Sequence, residues 1–258
     1  LLDSWTARFG AEAVAAIAAA QLREPPLDLT LKSPADHDRL IAEMTSRQLD
    51  VMTSPSGGLR LRDAGQIEDL PGFADGAWWV QDAAAALPAR LLGAAPVDRV
   101  LDLCAAPGGK TAQLLAAGAR VTALDLAPKR LKRLQENLDR LGFSAELVAA
   151  DGRQFRPEIP FDHILLDAPC TATGTLRRHP DAGWLKTAAD VVSLAPAQAA
   201  LFDAAARMLR PGGRLVYCVC SLEAAEGPDQ AARFLGEHAD FVLDPLSEEE
   251  LGPLAAAR

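Results

Sequence analysis

Short apolar runs alternate with amphipathic segments from residue 97 to the C-terminal region. The runs have the length and composition of buried strands and fall at Arg99–Leu103, Arg120–Leu124, Ala145–Ala149, Phe161–Leu166 and Arg214–Val219, with Phe241–Leu243 as a further candidate. The segments between them predict helices at Lys110–Ala117, Pro128–Leu141 and Pro196–Leu209, and Arg210–Gly213 predicts a turn. Strands that alternate with helices predict an α/β fold with a Rossmann-like, doubly wound parallel sheet.

The first 82 residues follow a different pattern. An alanine-rich helix, a strand of alternating polarity, a second helix and a strand–turn–strand segment are predicted, in that order, at Ala11–Leu22, Leu27–Leu31, Pro34–Gln48 and Val51–Ala64. Ser33 and Pro34 are typical of the capping and first positions of a helix. We therefore predict a small α+β module over residues 1–82 and an α/β domain over residues 83–258, which begins with a helix at Ala83–Leu92.

The composition is that of an ordinary soluble protein. Of the 258 residues, 49% are hydrophobic and 24% are charged, and no apolar run is long enough to cross a bilayer. No segment resembles a signal peptide, so we expect a cytoplasmic protein with its four cysteines reduced. No second Cys or His pair completes a metal site with Cys218 and Cys220, so we expect no bound metal. We also expect a monomer with no membrane partner. The first residue is Leu1 rather than Met, which suggests a fragment of a longer protein.

A Gly-rich turn follows the first predicted strand of the sheet, at Asp102–Thr111. A phosphate-binding P-loop needs a glycine where Cys104 stands, and a dinucleotide fingerprint needs three spaced glycines where this turn has two adjacent ones. Asp125 and Asp151 end the next two strands, and a carboxylate at the first of these positions accepts from ribose hydroxyls in folds of this kind. The turn is either a plain strand-to-helix connection or a binding loop for a nucleoside without a polyphosphate, such as S-adenosylmethionine.

Two cysteines come directly after predicted strands. Cys170 ends an Asp-Ala-Pro-Cys segment that begins at Asp167, and Cys220 follows the strand Arg214–Val219. A free cysteine is most often a small buried hydrophobic residue, and we expect that of the other two, Cys104 and Cys218. Ligands bind at the carboxyl ends of strands in open α/β sheets, which favours a chemical role for the two strand-end thiols. Asp167 either caps a turn before Pro169 or has a catalytic role. We expect the catalytic role, because a carboxylate that follows a buried apolar strand is costly without a function.

Three motifs resemble, in the same order, those of the bacterial RNA cytosine-C5 methyltransferases of the Sun/Fmu type. They are the turn Asp102–Thr111, the segment Asp167–Cys170 continued by Thr173–Asp181, and Tyr217–Ser221. The resemblance covers about residues 25–245. It implies a class I methyltransferase fold and transfer of a methyl group from S-adenosylmethionine to C5 of a cytosine in RNA, with ribosomal RNA as the expected partner.

The resemblance also implies roles for the residues around the two thiols. A cysteine thiolate that adds to C6 of cytosine makes C5 nucleophilic, and the residue that matches this nucleophile is Cys220. The second cysteine of the family matches Cys170 and assists release of the product. Asp167 is expected to bind or protonate cytosine N3, and the Pro169 carbonyl is expected to accept from the exocyclic amine of the base.

Residues expected to contact S-adenosylmethionine or RNA lie in and near the same motifs. The expected cofactor residues are Cys104, Ala105, Ala106, Pro107, Gly108, Gly109, Lys110, Asp125, Arg130, Asp151, Gly152 and Asp167. The net charge of −9 disfavours a broadly nucleic-acid-binding surface, but a local basic face is sufficient. We expect this face at Arg177, Arg178 and His179, whereas Lys132 and Glu136 predict a solvated helix face.

Trp78 and Trp79 either stack on a base or pack in the core, and we expect the core. The sequence departs from the family pattern at Val219, where the family has Thr, and at Gly227, where it has Asn. We expect the family's RNA-binding helical domain and its final strand to lie outside this sequence. Two rivals remain: a methyltransferase of this fold with a protein or small-molecule substrate, which has no need of two strand-end cysteines, and a catalytically silent RNA-binding factor.

Overall fold

The structure is a computed structural model that describes residues 2–253. Its helices, in chain order, are α1 (Leu2–Phe9), α2 (Ala11–Gln21), α3 (His37–Ser46), α4 (Ala83–Leu92), α5 (Gly109–Ala116), α6 (Pro128–Leu141), α7 (Ala182–Leu185), α8 (Ala188–Met208), α9 (Pro228–Glu237) and α10 (Glu248–Leu251). Its strands are β1 (Leu27–Leu31), β2 (Asp50–Thr53), β3 (Leu59–Arg62), β4 (Trp78–Val80), β5 (Arg99–Leu103), β6 (Arg120–Asp125), β7 (Glu146–Ala149), β8 (Phe161–Asp167) and β9 (Leu209–Cys218).

Strands β5 to β9 form one sheet in the order β7-β6-β5-β8-β9. β5 pairs with β6 in parallel, with Leu101 opposite Thr122, and β6 pairs with β7 in parallel, with Leu124 opposite Val148. Successive residues of a strand point to opposite faces, and four successive residues of β5 are buried, so this central strand is covered on both sides. Burial on both faces explains why these strands are continuous apolar runs. The predicted α/β fold with a parallel sheet is confirmed.

The helix α6 shows how the sequence encodes the layer beside this sheet. It begins with Pro128 in its first turn and ends before Gly142, which takes the left-handed conformation at φ 65°. Its buried face repeats every three or four residues, at Leu131, Leu134, Leu138 and Leu141. On the solvated face Lys132 and Glu136 lie 3.9 Å apart and are 80% and 62% exposed, as predicted. Among residues 2–253, no helix has the length and apolar character that crossing a membrane requires.

Strands β1 to β4 form a separate antiparallel sheet in the order β2-β3-β1-β4. Together with α3 it encloses a core that includes Leu29, Leu40, Met44, Leu59, Leu61 and Trp78. Trp79 is also buried, so the expectation that both tryptophans pack in the core is confirmed. Within this sheet the buried carboxylate of Asp28 on β1 receives two hydrogen bonds from Arg60 on β3, at 2.6 and 2.7 Å. A bidentate pair of this kind compensates for the cost of burying the charge.

The last strand of the large sheet begins earlier than predicted. β9 starts at Leu209, so the predicted turn Arg210–Gly213 lies within its span. β9 is the final strand in the sheet order, and an edge strand tolerates Pro211 because one side of it needs no backbone donor. A Cβ on Gly213 would lie 2.6 Å from the Asp162 carbonyl oxygen, so glycine permits this close backbone approach. The turn prediction was wrong because Pro211 and Gly213 are accommodated in an edge strand here and do not form a turn between a helix and a strand.

Other boundaries differ for tertiary reasons. The predicted strand Phe241–Leu243 is wrong, because Phe241 packs edge-on against Phe234, with ring centroids 5.0 Å apart, and the next two residues are exposed. Helix α8 begins at Ala188 and continues through Pro196, which was predicted as its first residue. The sequence analysis did not predict α1, β4, α7, α9 or α10. In α1 and α9 the buried aromatic residues, Trp5 and Phe234, contact residues distant in the sequence, which a local pattern does not reveal.

The described residues form two compact units. The sheet unit contains residues 26–165, 208–216 and 245–253. The thiol unit contains residues 2–25, 166–207 and 217–244. The last two residues of β8 and of β9 belong to the thiol unit, so both strand-end cysteines and Asp167 lie in that unit. The predicted boundary between residues 82 and 83 stays a prediction.

Candidate active site

In the thiol unit the structure brings the two strand-end cysteines together. The Sγ atoms of Cys170 and Cys220 are 3.5 Å apart, although the residues are 50 positions apart in the sequence. Two backbone hydrogen bonds join the segments that carry them: the Ala168 N–H donates to the Cys218 carbonyl at 3.0 Å, and the Gly174 N–H donates to the Cys220 carbonyl at 2.9 Å. The two thiols therefore form one site, held by the backbone on both sides.

The two thiols differ in environment. Cys220 is exposed and Cys170 is half-buried. The pKa of the Cys170 thiol is raised, first by its hydrogen bond with Cys220 and then by burial. Cys170 therefore keeps its proton at neutral pH, and Cys220 is the more accessible sulfur of the two.

Asp167 and Pro169 lie on the same segment as Cys170, and both already have partners within the thiol unit. Asp167 is half-buried, and the Cys218 thiol donates to its Oδ1 at 3.5 Å. The Pro169 carbonyl accepts from Gln198 Nε2 at 2.8 Å, so a base amine would use its second lone pair. The expectation that Cys104 and Cys218 are buried is wrong, because both are half-buried.

A network of hydroxyl and carboxylate groups lies behind the thiols, and the sequence analysis did not identify it. Thr171 and Thr173 each place Oγ1 3.2 Å from Ser221 Oγ, which connects the residues adjoining the two cysteines. Glu226, which directly precedes the departure from the family pattern at Gly227, is fully buried and accepts from the Thr171 N–H at 3.0 Å. Glu223 accepts from the Trp5 indole at 2.6 Å. The only sequence signal was the proximity of these polar residues to the cysteines.

The expected basic cluster, residues 177–179, is partly used in contacts within the protein. Arg177 Nη2 donates to the Glu24 carbonyl at 3.0 Å, so one of its donors ties down the end of the N-terminal helical segment. Arg178 is half-buried, whereas His179 is exposed. Trp184, on the short helix α7 that follows, is 91% exposed. A large aromatic ring in water beside basic residues is the arrangement by which proteins stack on unpaired bases.

In the sheet unit, the Gly-rich turn connects β5 to α5 through backbone contacts with β6. The N–H groups of Cys104 and Ala105 both donate to the Leu124 carbonyl, at 2.9 and 3.0 Å. Gly108 has φ 104°, and a Cβ there would lie 2.7 Å from the Leu134 side chain, so only glycine fits. At the start of α5 the Thr111 hydroxyl donates to the buried Asp102 carboxylate at 2.6 Å. These contacts fix the loop before any ligand is present.

Asp125 is the buried carboxylate at the end of β6. It accepts from the Ala106 N–H at 3.2 Å and from the Ala127 N–H at 3.0 Å. Arg130 lies 3.2 Å from its Oδ2 and also donates to the Ala106 carbonyl at 2.5 Å. The Arg130 side chain is 55% exposed, whereas that of Asp125 is 2% exposed. The structure thus brings together two of the expected cofactor residues as an ion pair beside the loop.

Asp151, after β7, forms a second carboxylate–guanidinium pair. Arg153 Nη2 and Nε donate to its two carboxylate oxygens, at 2.6 and 2.9 Å. These side-chain hydrogen bonds, with one from the Arg153 N–H, lower the pKa of Asp151. The neighbouring Gly152 is buried. Asp151 is therefore an ionised acceptor at neutral pH.

A cleft of about 350 Å³ opens within the sheet unit where the loop meets β4. Its lining includes Trp79, Gln81, Asp82, Gly109, Lys110 and Asn137. Volumes of this order are typical of small-molecule sites. Among the described residues, Asp125, Arg130 and Asp151 are not part of this lining. Of the expected cofactor residues, Pro107, Gly108, Gly109 and Lys110 line this cleft.

Comparison with known proteins gives a consistent family assignment. The family model described as 16S rRNA methyltransferase RsmB/F matches residues 89–255. Ribosomal RNA small subunit methyltransferase B of Klebsiella pneumoniae subsp. pneumoniae is 42% identical over 235 residues, which are 88% of this chain and 54% of that protein. The protein of the same name from Serratia proteamaculans is 48% identical over 182 residues, which are 69% of this chain and 42% of that protein. The chain spans about half the length of the curated relatives that it matches.

A solved structure extends the similarity to three dimensions. The methyltransferase homolog protein from Pyrococcus horikoshii superimposes with a TM-score of 0.79 at 29% sequence identity. The alignment covers 91% of this chain and 77% of that chain.

Proposed function

Because the chain belongs to the 16S rRNA methyltransferase RsmB/F family, we propose that it transfers a methyl group from S-adenosylmethionine to carbon C5 of a cytosine in small-subunit ribosomal RNA. The observation that carries this proposal is the 3.5 Å separation of the Cys170 and Cys220 sulfurs at the ends of two neighbouring strands. A methyltransferase of this fold with a protein or small-molecule substrate has no use for such a pair.

Cys220 is the proposed nucleophile. Its Sγ forms a bond to C6 of cytosine, which moves electron density to C5 and makes that carbon reactive towards a methyl group. Once C5 carries the methyl group, the donor of that group would leave as S-adenosylhomocysteine. The C5 proton then passes to water, the C5–H electron pair forms the C5–C6 double bond, and the C6–sulfur bond breaks with its electron pair returning to Cys220. Cys220 is exposed and its Sγ lies 3.5 Å from that of Cys170, so the base can reach one sulfur with the other beside it.

Cys170 and Asp167 are proposed to assist on either side of the adduct. Cys170 keeps its proton while Cys220 attacks, because its pKa is raised, and is then in place to assist release of the product. Asp167 is the proposed partner of cytosine N3, where a carboxyl group stabilises the charge that builds up in the ring during addition. The Pro169 carbonyl is proposed to receive the exocyclic amine.

S-adenosylmethionine, when bound, supplies an electrophilic methyl group on a positively charged sulfur. The residues proposed to hold it are those of the loop from Cys104 to Lys110, together with Asp125, Asp151, Gly152 and Asp167. Arg130, expected from the sequence as a cofactor residue, is proposed to release Asp125 when the cofactor binds. A carboxylate has about four lone-pair sites. Asp125 uses fixed backbone donors for two of its contacts, and its third partner is the half-exposed Arg130. Exchange of this partner for ribose hydroxyls leaves the carboxylate satisfied, so the donor set fits the cofactor.

RNA is the proposed partner of the region around Arg178 and His179, with Arg177 held partly by the fold. C6 of a cytosine is inaccessible within a stacked helix, so the target base must be unpaired or flipped out. Trp184 offers a stacking surface for a base beside the target.

Covalent trapping tests this function. Cys170→Ala and Cys220→Ala are incubated with S-adenosylmethionine and small-subunit RNA from cells that lack the methylation, and the products are run on denaturing gels. We expect Cys170→Ala to accumulate a protein–RNA adduct, and Cys220→Ala to form none and to lose roughly a thousandfold or more of its turnover.

The double variant, Cys170→Ala with Cys220→Ala, is the matched control and should form no adduct. Equal behaviour of the two single variants would contradict the division of labour between the thiols. RNA binding by the wild-type chain without methyl transfer would instead identify a silent RNA-binding factor.

A further inference from the structure

Glu226 is a buried carboxylate in the thiol unit with no task in the reaction described above. It is 0% exposed and lies in a short 3₁₀ turn, Ala224–Glu226, after Cys220. Its own carbonyl accepts from the Tyr217 hydroxyl at 2.5 Å, and burial is the main cause that raises the pKa of that hydroxyl. The Tyr217 hydroxyl therefore stays protonated and holds the backbone of Glu226. This contact fixes the position from which the Glu226 side chain extends.

The donors that reach the carboxylate come from the segment that carries Cys170. The Thr171 N–H donates at 3.0 Å and 3.3 Å to the two oxygens, and the Thr171 hydroxyl also donates. The Gln198 amide donates at 3.0 Å to Oε1 and at 2.8 Å to the Pro169 carbonyl. Glu226 thus holds the residue after Cys170 directly and the residue before it through Gln198.

The partners described for this carboxylate are all neutral. A buried carboxylate without a cation is costly and persists only where several donors are aimed at it. Replacing a buried polar cluster by well-packed apolar groups is often neutral or stabilising. The stability of the fold therefore does not by itself require a carboxylate at position 226. The arrangement is better explained by a need to keep one backbone segment in one position.

We propose that Glu226 is a positioning residue for Cys170. It acts through Thr171 and Gln198, does not touch RNA, and keeps the Cys170 sulfur within reach of Cys220. The proposal rests on the proposed function, in which Cys170 assists release of the methylated product. Loss of the carboxylate should therefore slow release more than attack, and the covalent adduct should build up as it does when Cys170 itself is removed.

The test compares Glu226→Gln with wild type, Cys170→Ala and Glu223→Gln. Glutamine keeps the size of the side chain but points an N–H₂ group at donors that need an acceptor. We expect turnover to fall by roughly tenfold to a hundredfold with KM unchanged, because a small misplacement of a reacting group has an effect of this size. We also expect a protein–RNA adduct on denaturing gels. Glu223→Gln is the matched control, since its carboxylate is held by Ser4 and Trp5, and it should form no adduct.

Alkylation of the RNA-free protein gives a second readout that does not depend on the reaction. The rate at which iodoacetamide modifies Cys170, measured by mass spectrometry, should rise severalfold in Glu226→Gln and stay at the wild-type value in Glu223→Gln. If Glu226→Gln does not fold, Thr171→Val removes one of the donors and should show the same adduct at a lower level.

The outcomes separate the two proposals. Adduct in Cys170→Ala but not in Glu226→Gln, with normal alkylation of Cys170, overturns the positioning role and leaves the proposed function intact. Absence of adduct in every variant counts against the proposed division between the thiols, and the alkylation rate then decides the positioning role alone.

Discussion

Two of the carboxylates buried beside the candidate sites, Asp125 and Glu226, are satisfied in opposite ways. Asp125 in the sheet unit has fixed backbone donors plus one cation, Arg130, whose side chain is 55% exposed. Glu226 in the thiol unit has neutral partners, Thr171 and Gln198, which are both fully buried. A solvent-exposed cation can leave and be replaced by a ligand, whereas buried neutral donors cannot. The comparison indicates that the first carboxylate is built for exchange and the second for positioning.

Removing the exchangeable carboxylate should have the largest effect. Asp125→Ala removes the proposed acceptor for two ribose hydroxyls, and hydrogen bonds to a charged group are worth about 1.5–3 kcal/mol each. We expect the Kd for S-adenosylhomocysteine, measured by calorimetry, to rise by roughly a hundredfold or more. Glu226→Gln should leave that Kd within about twofold of wild type, and a comparable loss in both variants would erase the distinction between the two carboxylates.

Removing the cation should have a moderate, ligand-dependent effect. Arg130→Met leaves Asp125 with its backbone donors alone, and because the pair is more than half exposed on one side we expect a loss of about 1 kcal/mol in the free energy of unfolding. Saturating S-adenosylhomocysteine should shrink this loss, since ribose hydroxyls then take the place of the guanidinium. Urea unfolding with and without ligand measures both values. An identical loss in the two conditions would show that Arg130 is not the partner that exchanges.

Removing the ion pair between Asp151 and Arg153 should have the smallest effect on stability. The pH dependence of this effect distinguishes the exposed pair from the two buried carboxylates. The pKa of Asp151 is lowered in the folded chain, so its contribution is present above the unfolded value of about 4 and is lost as the pH falls through the lowered folded value. Arg153→Gln should therefore lower the midpoint of thermal unfolding slightly at pH 7, because an exposed ion pair contributes little. Thermal unfolding should show this difference from wild type narrowing below pH ~4. A difference that grows on acidification would contradict the sign.

Local patterns were sufficient wherever a feature depends on sequence neighbours. The α6 boundaries follow from Pro128 and Gly142 and from leucines spaced along one face, and the structure reproduces them. The strand β5 and the helix α4 also match their predicted ranges. The predictions failed at β9 and Phe241, where a sheet edge and an aromatic cluster decide the conformation. Secondary-structure propensity depends on neighbours in the sequence, whereas the conformation at β9 and at Phe241 depends on contacts with residues that are distant in the sequence.

The sequence by itself determined the alternation of strands and helices, the Gly-rich turn and the placing of Cys170 and Cys220 just beyond strands, because periodicity and motif spacing are local properties. Only the tertiary structure decided that the two sulfurs lie 3.5 Å apart and that Glu226 holds Thr171, 55 residues away along the chain. A buried hydrogen-bond acceptor takes its partners from whatever the fold packs against it, and no repeat along the chain records that choice.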